Sequence, residues 1–369
     1  MNLLLLSSLK LGGVGTFTSE LCLAMSKYFD KVYAYSLHTP NPTLIRYVRT
    51  KCENVFVVPR YRCLTSLLTH KADSTILHIN YSSLLPLIRL TRISSTQLKN
   101  SLILTEHGFP QPWYEEGVLK GLYCLEFFCL KWLVPKYVKK IVTISSYAKE
   151  LIAKCINRVN LHVVYNGVNH VLFRPMRKEK AREFLKLDNS SLIILFVGRL
   201  TKYKGAHLVF QAFRKLLRNR KDVKLLIRGN GPLLPALNKF ITKYCLHERV
   251  KIVGPLDYTQ LPYLYNSADV FVHATMNEMF GLTLVEAMAC GVPIIASPTG
   301  AVSEVASDAP LYFQPFNVAD LTNKLLVLLD DLNLRRKLSE KSIKRASCFS
   351  WEDTARRYLK IYYERQTDK

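Results

Sequence analysis

Short runs of leucine and β-branched residues recur along this chain, separated by stretches of helix length. The first series occupies residues 3–6, 32–35, 55–58, 76–79, 102–105, 141–144 and 162–165. A second series follows at 191–197, 223–227, 249–253, 270–273, 292–296 and 311–313. Apolar runs of this length, without strict alternation, are the mark of strands buried on both faces, and their spacing by helices predicts parallel sheets covered by helices. Two such series predict two doubly wound α/β domains. Between them lie Phe173-Arg174-Pro175 and the charged run Arg177-Lys178-Glu179-Lys180, where the proline restricts its predecessor and composition changes abruptly. The expected division is therefore 1–175, 176–349 and a closing segment 350–369, in which Trp351, Tyr358, Ile361 and Tyr362 fall at helical spacing.

Doubly wound sheets bind ligands beyond the carboxyl ends of their strands, so two of them facing one another would enclose a cleft. The chain's chemistry-bearing residues lie at such strand ends. Residues 278–297 place Glu278 and Glu286 eight positions apart around Phe280-Gly281 and the start of an apolar helix at Leu282. That turn exposes backbone N–H groups at the positive end of a helix, which suits a phosphate, while the two carboxylates accept hydrogen bonds from hydroxyls. A phosphorylated sugar offers both.

In residues 196–205, Phe196-Val197-Gly198-Arg199-Leu200 reads as a strand ending in a turn, followed by Lys204-Gly205. Arg199 and Lys204 would put two cations at the carboxyl end of a strand, facing the cleft and suited to an anionic group, or they are two ordinary surface cations. Gly12-Gly13-Val14-Gly15 follows the first strand and precedes a helix, so Gly13 and Gly15 read as a loop that lets backbone N–H groups approach a phosphate, or as a plain tight turn. His107 ends the strand before Gly108 and would protrude into the cleft, although a lone histidine is commonly a satisfied structural residue.

Composition narrows the picture further. The chain has 369 residues, enough for two cores, and a formal net charge of +24 spread over both halves, which calls for an anionic partner or surface. No zinc-finger spacing, aromatic RNA-binding strand motif or basic-region heptad is present, so nucleic acid is not the expected partner. The 9 cysteines follow no metal spacing and suit reduced thiols. The apolar opening Met1-Asn2-Leu3-Leu4-Leu5-Leu6 lacks a basic start and reads as a strand, not a signal peptide, and residues 122–134 are interrupted by Glu126 and Lys131 before reaching a membrane span. In residues 121–140, Tyr123, Phe127, Phe128, Trp132 and Tyr137 alternate with Lys131, Lys136, Lys139 and Lys140: a core helix with a basic outer face, or one lying in a lipid headgroup layer. Asp330-Asp331 read as solvated charge.

The run of Glu278, Phe280, Gly281, Glu286, Ala287, Gly291 and Pro293 resembles that of the retaining glycosyltransferases of family 4, the group 1 enzymes of GT-B type. The resemblance is strong over 191–306 and looser before residue 102. It implies a GT-B fold whose final helix crosses back to the first domain, and a hexose passing from a nucleoside-diphosphate sugar to a hydroxyl of a glycan or lipid-linked acceptor. It gives Glu286 the ribose hydroxyls, Glu278 the sugar hydroxyls, and the N–H groups of Phe280, Gly281 and Leu282 the sugar or distal phosphate. Arg199 and Lys204 fall to the diphosphate, Gly13 and Gly15 to the same group from the first domain, and His107 to the donor sugar. Gly229 and Val253 lie in or beside the base-side loops, where Arg228 departs from the apolar residue common before that glycine; contact with phosphate and simple exposure are equally open for it. This scheme needs no metal and no cofactor beyond the donor; the odd number of cysteines and the absence of an export signal fit a cytoplasmic enzyme, with docking at the inner membrane face an open option. A nucleotide-sugar epimerase of the same architecture and a non-catalytic anion- or membrane-binding protein are the competing readings.

Overall fold

Leu3, Leu4, Leu5 and Leu6 are all at most 2% exposed, and the strand they form, β1 (Asn2–Ser7), lies inside a parallel sheet where both faces are covered. The computed structural model describes residues 1–7, 13–36, 41–58, 75–80, 102–108, 124, 127–156 and 159–364. The first sheet also contains β2 (Lys31–Ser36), β3 (Val55–Val58), β4 (Thr75–Asn80), β5 (Leu102–Glu106), β6 (Lys140–Thr143) and β7 (Asn160–Val163), in the order β3-β2-β1-β4-β5-β6-β7. The second contains β8 (Leu192–Val197), β9 (Val223–Arg228), β10 (Val250–Val253), β11 (Val270–His273), β12 (Ile294–Ala296) and β13 (Leu311–Tyr312), in the order β10-β9-β8-β11-β12-β13. Every paired strand is parallel to its neighbour. In each sheet the order reverses beside the first strand, the switch point at which such folds bind ligands. Each apolar run read from the sequence is a strand; β7 alone starts two residues early, because its register follows β6, with Thr143 opposite Val163.

The chain divides into two compact units, Met1–Gly167 with Trp351–Lys369, and Val168–Ser350. The division lies ahead of Pro175, and the reason is local. Val168 N donates to Phe349 O at 3.3 Å, Met176 N donates to Asn266 Oδ1 at 2.9 Å, and the buried Phe173 ring packs edge-on to Tyr258 and Tyr265. The proline thus sits within the second unit. The charged run after it forms the helix Lys178–Phe184, whose Arg182 is buried and donates to Asp269 Oδ2 at 2.8 Å.

The closing helix, Trp351–Tyr363, belongs to the first unit. Its fastening is polar as well as apolar. Tyr358 Oη and Thr105 Oγ1 are 2.8 Å apart, His78 Nε2 and Thr105 Oγ1 are 2.7 Å apart, and His78 Nδ1 lies 2.7 Å from Tyr362 Oη. Lys140 Nζ donates to the carbonyls of Ile361 and Glu364 at 2.6 and 2.7 Å, meeting the negative end of the helix. Burial pushes the His78 imidazole down to about 3, with the nearby His107 acting the same way.

Two expectations require correction. Gly13 and Gly15 lie in the first turn of the helix Gly13–Met25, not in a loop before it; Gly13 is exposed and Gly15 buried, and Thr18 Oγ1 donates back to Val14 O at 2.8 Å. Asp330 and Asp331 are not merely solvated. Asp331 caps the helix Leu332–Ala346 by accepting from Leu334 N at 2.9 Å, and Asp330 pairs with Arg220.

The basic aromatic segment combines the two faces read from its sequence. Cys129, Leu130, Val134 and Val138 are buried, whereas Phe128 is 54% and Trp132 62% exposed, alongside exposed Lys131, Lys136 and Lys139. Cys129–Leu133 form a π-helical turn leading into Val134–Tyr137. Tyr123 lies outside the described residues.

Candidate functional site

The carboxylate pair is built at the carboxyl end of the second sheet. β11 runs to His273, the chain turns through Thr275 to Gly281, and the helix Leu282–Ala289 begins with Gly281 as its N-cap, at a φ of +89°. Phe280 is 1% exposed and meets the Phe349 ring edge-on at 5.6 Å, which anchors the turn from below. Gly300 supports it from the side. At φ +62°, a methyl group there would come within 2.3 Å of Glu278 O and 2.5 Å of Asn277 Oδ1. The next residue, Ala301, donates its N–H to Glu278 O at 2.7 Å.

β8 supplies the cations. After Val197 the chain passes through Arg199 and Lys204 into the helix Ala206–Leu216. Gly205, at φ +71°, lets this loop press against β11, since a side chain there would strike Ala274 O at 1.8 Å. Met276 N donates to Tyr203 O at 2.8 Å, so the two loops are joined through their backbones. The outcome is an ion pair. Lys204 Nζ donates to Glu278 Oε2 at 2.6 Å, with side chains 28% and 12% exposed. Burial alone would raise the Glu278 carboxyl, but the Lys204 charge and contact with His273 outweigh it and hold the group down at about 2.

Glu286 sits one helical turn inside. Its side chain is buried, and Tyr265 Oη donates to Oε2 at 2.6 Å. The Tyr265 hydroxyl is pushed well up by burial and then by the Glu286 charge, with Arg228 opposing. Arg228 is half-buried. It ends β9, and Gly229 follows; Gly198 N donates to Arg228 O at 3.0 Å and Leu200 N to Asn230 O at 2.9 Å, holding the Arg199 loop against the Gly229 loop. Arg199 itself is exposed, and its carbonyl accepts from Thr201 N at 2.9 Å. Thr201 Oγ1 in turn accepts from Lys204 N at 3.2 Å. Val253 ends β10 and is partly buried.

Gly13, Gly15 and His107 belong to the first unit. His107 follows β5 and meets the Phe17 ring edge-on at 4.2 Å, and burial pushes its imidazole down to about 3. It is neutral at physiological pH.

Sequence reasoning missed His273 and Tyr265. His273 carried the same signal as His107, a histidine closing an apolar strand. Tyr265 carried none, because its hydroxyl reaches Glu286 through the packing of the helix Leu261–Asn266 and not through any spacing.

A paired lysine and glutamate beside a glycine-led helix start, backed by a second buried glutamate, is an arrangement for anions and hydroxyls together. Residues 177–345 match the family described as glycosyl transferases group 1, and residues 11–172 match glycosyltransferase family 4. The chain belongs to this family. Among curated relatives, it is 25% identical over 231 residues to the GPI3 subunit of phosphatidylinositol N-acetylglucosaminyltransferase of Saccharomyces cerevisiae, covering 61% of this chain and 50% of that one. It is 31% identical over 204 residues to D-inositol 3-phosphate glycosyltransferase of Paenarthrobacter aurescens, covering 54% and 50%. The chain thus spans about half the length of these curated relatives. Anabaena Alr3699/HepE, solved in complex with UDP and glucose, superposes with a TM-score of 0.82 at 18% identity, covering 99% of this chain and 100% of that chain. Sucrose-phosphate synthase from Thermosynechococcus elongatus gives 0.76 at 20% identity, covering 99% and 98%. These likenesses establish the GT-B fold.

Proposed function

We propose that this chain is a retaining hexosyltransferase that moves a hexose from a nucleoside-diphosphate sugar to a hydroxyl of a glycan or lipid-linked acceptor. The observation that carries the reading is the Lys204–Glu278 ion pair, 2.6 Å long, beside the Gly281 turn. It puts a cation for a diphosphate next to a carboxylate for sugar hydroxyls. Glu286 takes the ribose hydroxyls, and the N–H groups from Phe280 to Leu282 face the sugar or distal phosphate. Val253 and Gly229 line the base side. Gly13 and Gly15, in the first turn of their helix, offer N–H groups to the diphosphate. His107, neutral, orients the sugar.

In this reaction the bond from the anomeric carbon to the diphosphate oxygen breaks as the acceptor oxygen bonds to that carbon on the same face. The acceptor proton passes to the departing phosphate. Lys204 and Arg199 stabilise the charge that develops there, a role in which one lost donor raises the barrier by about 3 to 4 kcal/mol. These two cations supply the neutralisation without a metal. A uridine donor is supported by HepE, crystallised with UDP and with UDP-glucose. An inositol-bearing acceptor is supported by the names of the yeast and Paenarthrobacter relatives.

Among the described residues no helix is long and apolar enough to cross a membrane. A cytoplasmic enzyme docked peripherally on an anionic membrane surface fits the exposed Phe128 and Trp132 with Lys131, Lys136 and Lys139. The test of the whole reading is transfer from UDP-glucose, UDP-N-acetylglucosamine or GDP-mannose to phosphatidylinositol and to inositol phosphate, with the product anomer assigned by NMR. Wild type gives a product of retained configuration, and Glu286→Ala or Lys204→Ala lowers its formation by about 100-fold or more while the fold persists. Unchanged turnover in either variant removes the site assignment. Conversion of the donor to an isomer without acceptor supports an epimerase instead.

A further inference from the structure

β11 ends in a histidine that the donor site, as described, does not use. His273 is 5% exposed, and its Nε2 stands 3.5 Å from Glu278 Oε2, the oxygen that also receives Lys204 Nζ. The ring lies against the anion-binding turn as well, since a methyl group on Gly281 would come within 3.5 Å of the same nitrogen. Its backbone is held rigidly. β11 is flanked by β8 and β12, and His273 O accepts from Ser297 N at 3.1 Å. The Phe271 ring lies 6.1 Å away on the same strand.

The geometry points to His273 as a positioning residue for the donor sugar: its Nε2, buried 3.5 Å from Glu278 Oε2 and without a hydrogen-bond partner among the described residues, is placed to take hold of the Glu278 carboxylate from the strand side once a donor is bound, leaving the second carboxylate oxygen for the sugar hydroxyls. This rests on the donor reading above. Under that reading Lys204 serves two anions, Glu278 and the diphosphate. As the diphosphate draws on the ammonium, the hold of Lys204 on Glu278 weakens, and a carboxylate only 12% exposed is left short of a partner. A donor fixed on a central strand supplies the missing hold without moving. A neutral imidazole is sufficient, because the role asks for one N–H and no proton transfer. Lys204 reaches the same oxygen from the β8 loop, so the lysine and the histidine converge on one carboxylate from two elements.

The experiment is calorimetric titration of the full chain with UDP, UDP-glucose, UDP-N-acetylglucosamine, GDP and GDP-mannose, using the tightest nucleotide sugar and its own parent diphosphate for comparison. His273→Leu weakens the nucleotide sugar about 10- to 50-fold, on the scale of a lost hydrogen bond to a charged group, and leaves the parent diphosphate within about 2-fold. His273→Gln, whose side-chain amide N–H reaches the Nε2 position, recovers the nucleotide sugar to within about 5-fold of wild type. Unchanged diphosphate binding also reports that the second unit is folded. Equal weakening of both ligands by His273→Leu, no weakening of either, or a Gln variant as poor as the Leu variant overturns the assignment. A wild-type chain that binds diphosphates but no nucleotide sugar overturns it too, whereas one that binds neither sinks the donor reading itself.

Discussion

Replacing Lys204 by alanine tests the ion pair at the centre of the site. Glu278 ionises at about 2 in the fold against an ordinary value of 4.5. At about 1.4 kcal/mol per tenfold, that difference is worth about 3 kcal/mol of stability when the carboxylate is charged. The sign follows from the depressed value: the stabilisation is fully present above about pH 4.5 and is lost as the pH falls through 4.5 toward 2. Lys204 is 28% exposed, so part of its share is screened by solvent, and Lys204→Ala is expected to cost about 2 kcal/mol at pH 7. The cost shrinks toward nothing near pH 2. Glu278→Gln removes the buried charge, so the double variant recovers part of the loss, with a coupling of about 1 to 2 kcal/mol. Denaturant melts of wild type, both single variants and the double variant at pH 7 measure this directly. In the transfer assay Lys204→Ala lowers kcat by about 100- to 1000-fold. Strictly additive effects on stability, or a Lys204→Ala chain as stable as wild type at pH 7, would refute the electrostatic account of the site.

Three further outcomes follow from particular contacts. The His78 imidazole, held down at about 3, is neutral in the fold but protonates in the unfolded chain below about 6.5, so its stabilisation is complete above that pH and falls as the pH drops toward 3. Between pH 8 and pH 5 that amounts to about 2 kcal/mol, and His78→Gln should flatten the melting-temperature profile in that window; an identical profile contradicts it. Gly300→Ala places a methyl group at φ +62° against the Glu278 carbonyl, and should destabilise by more than about 1 kcal/mol in a denaturant melt, whereas a neutral result would mean the loop yields freely. Trp132→Ala combined with Lys131→Ala, Lys136→Ala and Lys139→Ala should lower co-sedimentation with phosphatidylserine-containing vesicles by about 10-fold or more, at about 1 kcal/mol per lysine, and unchanged co-sedimentation removes membrane docking by this face.

Strand positions were legible because the strands of a parallel sheet are buried on both faces, so their apolar runs stand out without any knowledge of partners. The site was legible where a motif is local: Glu278, Gly281 and Glu286 lie within one loop and helix, and Lys204 lies beside a glycine. What escaped depended on contacts distant in sequence. The division at Gly167 and Val168 is set by backbone pairing with Phe349 and Ser350, whereas the proline that drew the expectation packs inside the second unit. Gly13 and Gly15 read as a loop because glycine disfavours helices, yet the helix starts among them and Thr18 ties back to Val14. Asp331 looked like surface charge because its capping role appears only once the next helix begins at Leu332. Tyr265 reaches Glu286 from a different helix and no spacing announces it, whereas His273 lies shortly before Glu278 and carried only the signal of a histidine closing an apolar strand.

The most direct measurement is binding of nucleotide sugars to the second unit's carboxylates. Calorimetric titration of the wild-type chain with UDP-glucose, UDP-N-acetylglucosamine and GDP-mannose should show saturable binding of at least one, lost or weakened about 100-fold in Glu286→Ala, in which both the ribose contacts and the Tyr265 anchor are gone. No binding by any of the three, or binding that Glu286→Ala leaves untouched, would contradict the claim that this pair of glutamates holds an activated sugar.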